Sequence, residues 1–322
     1  MDELRWGILG TADISETVIP AIQAARGARA VAVASRNGER ARVWAERFSL
    51  PRSFDSYEAL LHSGEVDAVY LPLPNALHAD WTIRALEAGL PVLCEKPLAP
   101  TEAAARSVAA AALRTGLPVM EGFMYRFHAQ WKKLQELLDA GTIGPLQTID
   151  AVFSFFLDDR DGIVASADLA GGALLDVGSY AVHAARMITK EEPVRTAALA
   201  RFAETDDTMV GLLEFPSGVL ARFETSIATA ERHRVELRGT KGTLVLPHPW
   251  VPEPDEATIV LQRHAMPDQH YEVPSCPNPY QQEIEHFGDV VRGTATPQLP
   301  LDDAIANAKV LEALARAARD RG

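Results

Sequence analysis

Leu4-Arg5-Trp6-Gly7-Ile8-Leu9-Gly10-Thr11-Ala12-Asp13-Ile14-Ser15 decides how the rest of this chain is read. Residues 4–10 form a short apolar run that ends in a glycine, and over 14–25 the apolar residues recur at helical spacing, interrupted by Pro20. Strand, glycine turn and helix in that order open a βαβ unit. The turn occupies a G-x-G-x-x-G/A frame, with Gly10 at the first place, Ala12 at the second and Ser15 at the third. In a dinucleotide site the first glycine makes the tight bend and the second lets main chain approach a pyrophosphate. The helix N-terminus then offers unpaired N–H groups and a positive dipole end. Gly10, Thr11, Ala12, Asp13 and Ile14 are therefore candidate cofactor contacts. Ala12 departs from the pattern, and small residues also occur at such junctions for steric reasons alone, so the position within a βαβ unit carries the argument.

Outward from that turn, a second apolar run at 28–34 is followed by a polar helix over 37–48, with Asn37 as its N-cap. Strands near 68–71, 92–94 and 119–120 alternate with helices near 77–88 and 101–115, and Gly89 and Gly116 stand where C-terminal caps belong. Parallel neighbours need crossover helices, so this half predicts a doubly wound parallel sheet. Beyond a helix over 130–140 the pattern changes to runs at 147–156, 195–202, 209–215 and 219–226 that read as antiparallel strands. Pro216-Ser217-Gly218 and Gly239-Thr240-Lys241-Gly242 supply turns, and helices are expected over 179–189, 280–292 and 301–319. The predicted fold is α/β, a parallel N-terminal sheet joined to a C-terminal α/β domain, with boundaries at 1–122 and 123–322.

The 322 residues fit two domains at roughly 150 residues each. With 47% hydrophobic and 23% charged residues the composition is that of a globular protein rather than a disordered or fibrous one. A formal charge of −13 repels phosphate backbones and anionic lipid, which argues against nucleic acid and membrane surfaces as partners. No apolar run reaches the length of a membrane span, and a cytoplasmic location is expected. Cys94 and Cys276 lack the spacing of a zinc site, and a reducing compartment is the better reading.

At the end of the second strand an NAD site usually carries a carboxylate for the ribose 2′-hydroxyl. Here the chain reads Ser35-Arg36-Asn37, with Arg40 one turn later, which suits a 2′-phosphate and predicts NADP over NAD. Ligands of open α/β sheets bind at the carboxyl ends of strands, which brings in Leu71, Pro72, Asn75 and His78 after one strand and Glu95 and Lys96 after the next. Glu283-Ile284-Glu285-His286 supplies only half of a carboxylate metal site and reads as an exposed helix face. No metal is expected. Cys94 reads as the small apolar end of a buried strand rather than a nucleophile.

Trp6-Gly7-Ile8-Leu9-Gly10-Thr11, Pro74-Asn75-Ala76-Leu77-His78, Glu95-Lys96-Pro97 and the run from Gly171-Gly172-Ala173-Leu174-Leu175-Asp176 through Val177-Gly178-Ser179-Tyr180 together resemble the Gfo/Idh/MocA oxidoreductases. The resemblance covers nearly the whole chain. Ala34-Ser35-Arg36, the stretch Glu121-Gly122-Phe123-Met124-Tyr125-Arg126-Phe127-His128 and Gly178-Ser179-Tyr180 resemble most the branch of dimeric dihydrodiol dehydrogenases and NADP-dependent D-xylose dehydrogenases. It implies an N-terminal Rossmann domain, a C-terminal domain with an open, largely antiparallel sheet, and association as homodimers or homotetramers through that sheet. Lys96 and Tyr180 are implied as the catalytic pair, with Asp176 one helical turn earlier, and Met124 and Arg126 as further cofactor contacts. A positioned phenol can move the hydroxyl proton, and a neighbouring ammonium favours its phenolate against an ordinary pKa of about 10.

The activity so implied is hydride transfer between NADP and a hydroxyl or carbonyl carbon of a sugar or related polyol. Substrate contacts are expected from Lys96, Phe123, Phe156, Asp176 and Tyr180, with Arg126 and Tyr280 as further wall residues. Several relatives carry an arginine where this chain has Val164, which bears on the choice of sugar. Rival readings are a trans-dihydrodiol dehydrogenase or keto-sugar reductase, a glycosidase with a tightly bound, recycled NAD, and a nonenzymatic NADP sensor.

Overall fold

The computed structural model describes residues 3–158, 162–252, 256–273 and 278–320, so Cys276 lies outside the described residues. In chain order the elements are β1 (Leu4–Leu9), α1 (Ser15–Ala24), β2 (Ala28–Ala34), α2 (Gly38–Arg47), β3 (Arg52–Phe54), α3 (Tyr57–Leu61), β4 (Ala68–Leu71), α4 (Asn75–Glu87), β5 (Val92–Glu95), α5 (Glu102–Thr115) and β6 (Val119–Gly122). There follow α6 (Ala129–Asp139), β7 (Leu146–Phe156), α7 (Ser179–Thr189), β8 (Arg195–Phe202), β9 (Asp206–Glu214), β10 (Leu220–Ser226), β11 (Ala228–Gly239), β12 (Thr243–Leu246), β13 (Thr258–Gln262), β14 (Gln269–Glu272), α8 (Pro279–Val291) and α9 (Leu301–Arg319).

The chain divides into two compact units, Met1–Met124 with Pro277–Ala308, and Tyr125–Cys276 with Lys309–Gly322. A single cut after residue 122 does not provide for the return of α8 and the first half of α9 to the N-terminal unit. No helix among the described residues is long and apolar enough to cross a membrane.

The first unit is a six-stranded sheet of order β3-β2-β1-β4-β5-β6, parallel throughout. Strand order reverses at β1, so the carboxyl ends of β1, β2, β4 and β5 share one edge. β4 reads as a continuous apolar run, and β1 and β5 are broken only by Arg5 and the terminal Glu95, because helices cover both faces of a parallel sheet. The helices begin where side chains satisfy orphan N–H groups: Asn37, Ser56 and Thr101 accept from the main chain of Arg40, Ala59 and Ala104. α5 ends on Gly116 at φ +70°, a left-handed cap that glycine adopts without strain. The short β3 and the five-residue α3 have too little periodicity to be read from sequence.

The second unit is an eight-stranded sheet of order β14-β13-β12-β11-β7-β10-β9-β8. Every neighbouring pair is antiparallel except β7 and β10, which run parallel in mid-sheet. One face carries Ile149, Ala151, Met209, Leu213, Phe223, Val235 and Leu237, all buried. Gly211 has no side chain because the Phe223 ring crosses it. The opposite face carries charge in its middle, where Arg222 pairs with Asp150 and Glu236 with Arg234 and Arg238. Towards β8 that face turns apolar, with Leu199, Val210, Leu212 and Leu220 exposed.

Candidate active site

In the first unit the glycine turn is built as the sequence predicts. Gly10 sits at φ +123°, in the region glycine favours, and a side chain there would press on Leu73. The turn delivers Ile14 as the cap residue of α1 with no capping side chain, which leaves that helix terminus to the main chain and to a ligand. Asp13 is exposed, Ala12 and Ile14 are half-buried and Thr11 is buried. Across the sheet edge, the Arg40 guanidinium donates to the Thr11 carbonyl at 2.7 Å, joining the second crossover to the first. Ser35 Oγ accepts from the Asn37 N–H at 3.2 Å, and Arg36 stands exposed beside it. A left-handed glycine, an uncapped helix terminus, a hydroxyl and two guanidinium groups on one edge, with no carboxylate at the end of β2, form a donor set that fits a dinucleotide with a 2′-phosphate.

Leu71 and Pro72 are buried at the end of β4, and Asn75 opens α4 half-buried. His78 is placed otherwise than expected. It is fully buried, and its two ring nitrogens lie 2.7 Å from the Pro97 carbonyl and 2.6 Å from the Leu73 carbonyl. The ring is enclosed between the two carbonyls and, neutral with a single N–H, donates to one of them, so His78 braces the β4 and β5 loops instead of reaching a ligand. Burial drives its pKa down to about 4, against the two carbonyls, which favour the charged ring.

The β5 turn is held from below. Tyr70 donates to Glu95 Oε1 at 2.7 Å, while Glu95 Oε2 accepts from the Lys96 N–H at 3.3 Å. The Leu98 N–H beyond donates to buried Glu121 at 2.7 Å. Lys96 therefore leaves a strand end whose main chain is fixed on both sides, and it is half-buried. The Cys94 thiol before it is fully buried and pushed up by desolvation, in keeping with a packing residue. Phe123 and Met124 are buried, and Arg126 lies half-buried in a 3-10 turn over Met124–Phe127.

Glu283 is the clearest correction. Expected on an exposed helix face, it is only 2% exposed, turned inward from α8 with Tyr280 one turn earlier at 7%. Tyr280 is accordingly buried, and desolvation, with the charge of Glu95 and Glu283 added, pushes its phenol up. Among the described residues no group of three or more histidine, cysteine, aspartate or glutamate side chains is gathered as for a metal ion.

In the second unit Gly171 and Gly172 have separate reasons to be glycine. A side chain at Gly171 would strike the Val164 carbonyl, and one at Gly172, at φ +108°, would strike the Asp206 carboxylate. Asp206, which sequence reasoning missed, accepts from the Leu174 N–H at 2.7 Å and so caps the turn that carries Asp176. Residues 174–178 form one π-helical turn that runs into α7. The Asp176 to Tyr180 spacing thus crosses a wider turn than the α-helix assumed from sequence. Asp176 is half-buried. Tyr180 is 6% exposed and ringed by Phe153 at 5.3 Å, Trp250 at 5.6 Å and Tyr125 at 5.8 Å between centroids. The Tyr125 hydroxyl bonds His183, one turn after Tyr180. Phe156 lies at the end of β7 and is 59% exposed.

With both halves described, similarity to known proteins decides the family. Residues 4–123 match the oxidoreductase family with NAD-binding Rossmann fold, and residues 131–245 the GFO/IDH/MocA C-terminal domain. The chain is 37% identical to D-xylose 1-dehydrogenase (NADP(+)) 2 of Haloferax volcanii over 97% of this chain and 96% of that one. This protein belongs to the Gfo/Idh/MocA oxidoreductases. Trans-1,2-dihydrobenzene-1,2-diol dehydrogenase of Mus musculus is 32% identical over 96% of this chain and 95% of its own. Among solved structures of the family, the 3-ketoreductase from Actinomadura kijaniata, in complex with NADP and TDP-benzene, superposes with a TM-score of 0.93. It is 31% identical and covers 98% of both chains. The resemblance to the xylose and dihydrodiol dehydrogenase branch is thereby borne out, as is the fold of a parallel Rossmann sheet followed by a mainly antiparallel one.

Proposed function

We propose that this protein is an NADP-dependent oxidoreductase acting on a hydroxyl or carbonyl carbon of a sugar or related polyol in the cytoplasm. The observation that carries the reading is the shared edge of β1, β2, β4 and β5, where the Gly10 turn, the Arg40–Thr11 bond and the fixed Glu95–Lys96 turn stand together. When bound there, NADP supplies the hydride acceptor and NADPH the donor. Gly10 to Ile14 would take the pyrophosphate, Ser35, Arg36 and Arg40 the 2′-phosphate, and Leu71, Pro72, Asn75, Glu95, Met124 and Arg126 the remainder. Tyr180 takes the hydroxyl proton on oxidation and returns it on reduction, with the Lys96 ammonium favouring the phenolate. Asp176 orients substrate hydroxyls, with Phe123 and Phe156 as wall residues.

The xylose dehydrogenase among the relatives supports an aldose as substrate, and the 3-ketoreductase supports a nucleotide-linked keto sugar as the second reading. The exposed apolar strip of Leu199, Val210, Leu212 and Leu220 supports self-association across the outer face of the second sheet, as a homodimer or homotetramer.

The test is fluorescence titration with NADPH and NADH beside Arg36→Ala, followed by a screen of aldoses, nucleotide-linked keto sugars and trans-dihydrodiols. Preferential NADPH binding that weakens about tenfold or more in the variant is expected, since a guanidinium–phosphate contact is charge-assisted. Equal NADH binding would overturn the cofactor assignment. Tyr180→Phe should then lower kcat by about a hundredfold or more, the usual weight of a positioned acid–base group.

A further inference from the structure

The turn that carries Asp176 begins on a single peptide group held at both of its ends. On one side the Leu174 N–H donates to Asp206 Oδ2 at 2.7 Å, and on the other the Ala173 carbonyl accepts from Thr225 Oγ1 at 3.0 Å. Asp206 opens β9, Thr225 lies on the neighbouring β10, and both side chains are buried. The same Thr225 meets the far end of the turn: a Cβ at Gly178 would stand 3.2 Å from its methyl carbon, so glycine there lets the turn lie close on it. Between the two ends the Gly172 carbonyl accepts from the Asp176 N–H at 3.0 Å. The arrangement is costly. A carboxyl is taken out of water, and burial pushes its pKa up to about 6. The turn it holds is π-helical, a rare geometry that occurs mostly as single turns, frequently at functional sites. A plain α-helical start to α7 would need neither the buried carboxyl nor the glycine at φ +108° that makes room for it.

We infer that Asp206 and Thr225 are positioning residues for the reaction: together they clamp the peptide between residues 173 and 174, fix the π-turn, and so set the direction in which Asp176 is presented relative to Tyr180. The inference deepens the oxidoreductase reading above and rests on it. Both side chains act through main chain, and neither is a catalytic residue. In an α-helix Asp176 and Tyr180 would stand one above the other as i and i+4 neighbours, whereas the wider turn changes the angle between them. A 173–174 peptide released at either end is free to rotate. The turn can then relax toward the α-helical form, which swings the Asp176 side chain away from the substrate hydroxyls it orients.

Variants of the full chain separate this role from plain packing. Thr225→Val keeps the shape and loses the hydroxyl, while Thr225→Ser keeps the hydroxyl; Asp206→Ala loses the acceptor, while Asp206→Asn keeps one. Turnover is measured with NADP and D-xylose or, where another compound of the screen above reacts faster, with that compound. Its kcat/KM should fall about tenfold to a hundredfold in Thr225→Val and Asp206→Ala, the scale of a small misplacement at the reacting groups. Thr225→Ser and Asp206→Asn should stay within about threefold of wild type, and KM for NADP should change by less than about threefold throughout. In an Asp176→Ala background, Thr225→Val should cost less than about threefold more, because the residue it acts through is gone. Hydrogen–deuterium exchange of segment 172–180, read by mass spectrometry without cofactor, should quicken about tenfold in Thr225→Val and Asp206→Ala and hold in the conservative pair. A KM for NADP that rises by the same factor, a loss that Ser and Asn fail to restore, or one undiminished in Asp176→Ala overturns the inference. Unchanged exchange overturns it as well. Should Thr225→Val or Asp206→Ala fail to fold, the other pair decides alone. A wild type that turns over no compound of the screen with NADP or NADPH, while the exchange still responds, would instead sink the oxidoreductase reading and, with it, the positioning role of the clamp.

Discussion

At Asp206 a carboxyl is buried in the space left by Gly172, where it caps the turn leading to Asp176 and Tyr180. Burial raises its pKa to about 6 from an ordinary 3.8, despite the main-chain N–H groups that favour the anion. The folded state therefore binds this proton more tightly than the unfolded chain. The stabilisation is fully present below pH 3.8 and is lost as pH rises through about 6. Asp206→Asn keeps an acceptor for the Leu174 N–H and removes the titration. Relative to wild type it should gain up to about 3 kcal/mol between pH 4 and pH 7. Urea unfolding of both proteins across that range checks it, and parallel curves would show that the carboxyl carries no such penalty. Lys96, Asp176 and Tyr180 were legible as residues because motifs name them. The enclosure of the His78 ring between two main-chain carbonyls was not, since nothing at position 78 marks where the carbonyls of Leu73 and Pro97 come to rest.

Among the elements, α2 ties stability to the proposed cofactor site. Asn37 caps it by accepting from the Arg40 N–H at 3.0 Å, and the Arg40 side chain holds the Thr11 carbonyl. Removing an N-cap costs about 1 kcal/mol, so Asn37→Ala and Thr101→Ala should lose similar stability by thermal or urea unfolding. Only Asn37→Ala should also weaken NADPH binding, because the α5 cap at Thr101 touches none of the cofactor candidates. Equal NADPH affinity in the two variants would detach Arg40 from the site. Strands β1, β2, β4 and β5 were readable from apolar runs bounded by turns, and the Asn37 cap from residue type. β11 was not, because Arg232, Arg234, Glu236 and Arg238 place charge at every second position, and the burial of the alternate side is settled only by pairing with β7.

For the whole molecule, the outer face of the second sheet carries the remaining prediction. Leu199 is 78% exposed and Leu212 55%, beside Val210 and Leu220 on neighbouring strands, an apolar strip that water does not favour. Leu199→Lys with Leu212→Glu should convert a sedimenting dimer or tetramer into monomer in analytical ultracentrifugation, with far-UV circular dichroism unchanged. A wild type that sediments as a monomer would remove the sheet face as an interface. By itself the sequence determined what local rules can carry: alternation of strand and helix, the glycine turn, the caps, and motifs specific enough to name a family. Only the tertiary structure decided that β7 and β10 pair in parallel, that Gly172 makes room for Asp206, and that α8 returns to the first unit and buries Glu283 and Tyr280 there. Periodicity reports which side of an element is apolar. Which distant side chains meet on that side depends on the packing of the whole chain, and a buried acid such as Glu283 carries no local mark that sets it apart from a solvated one.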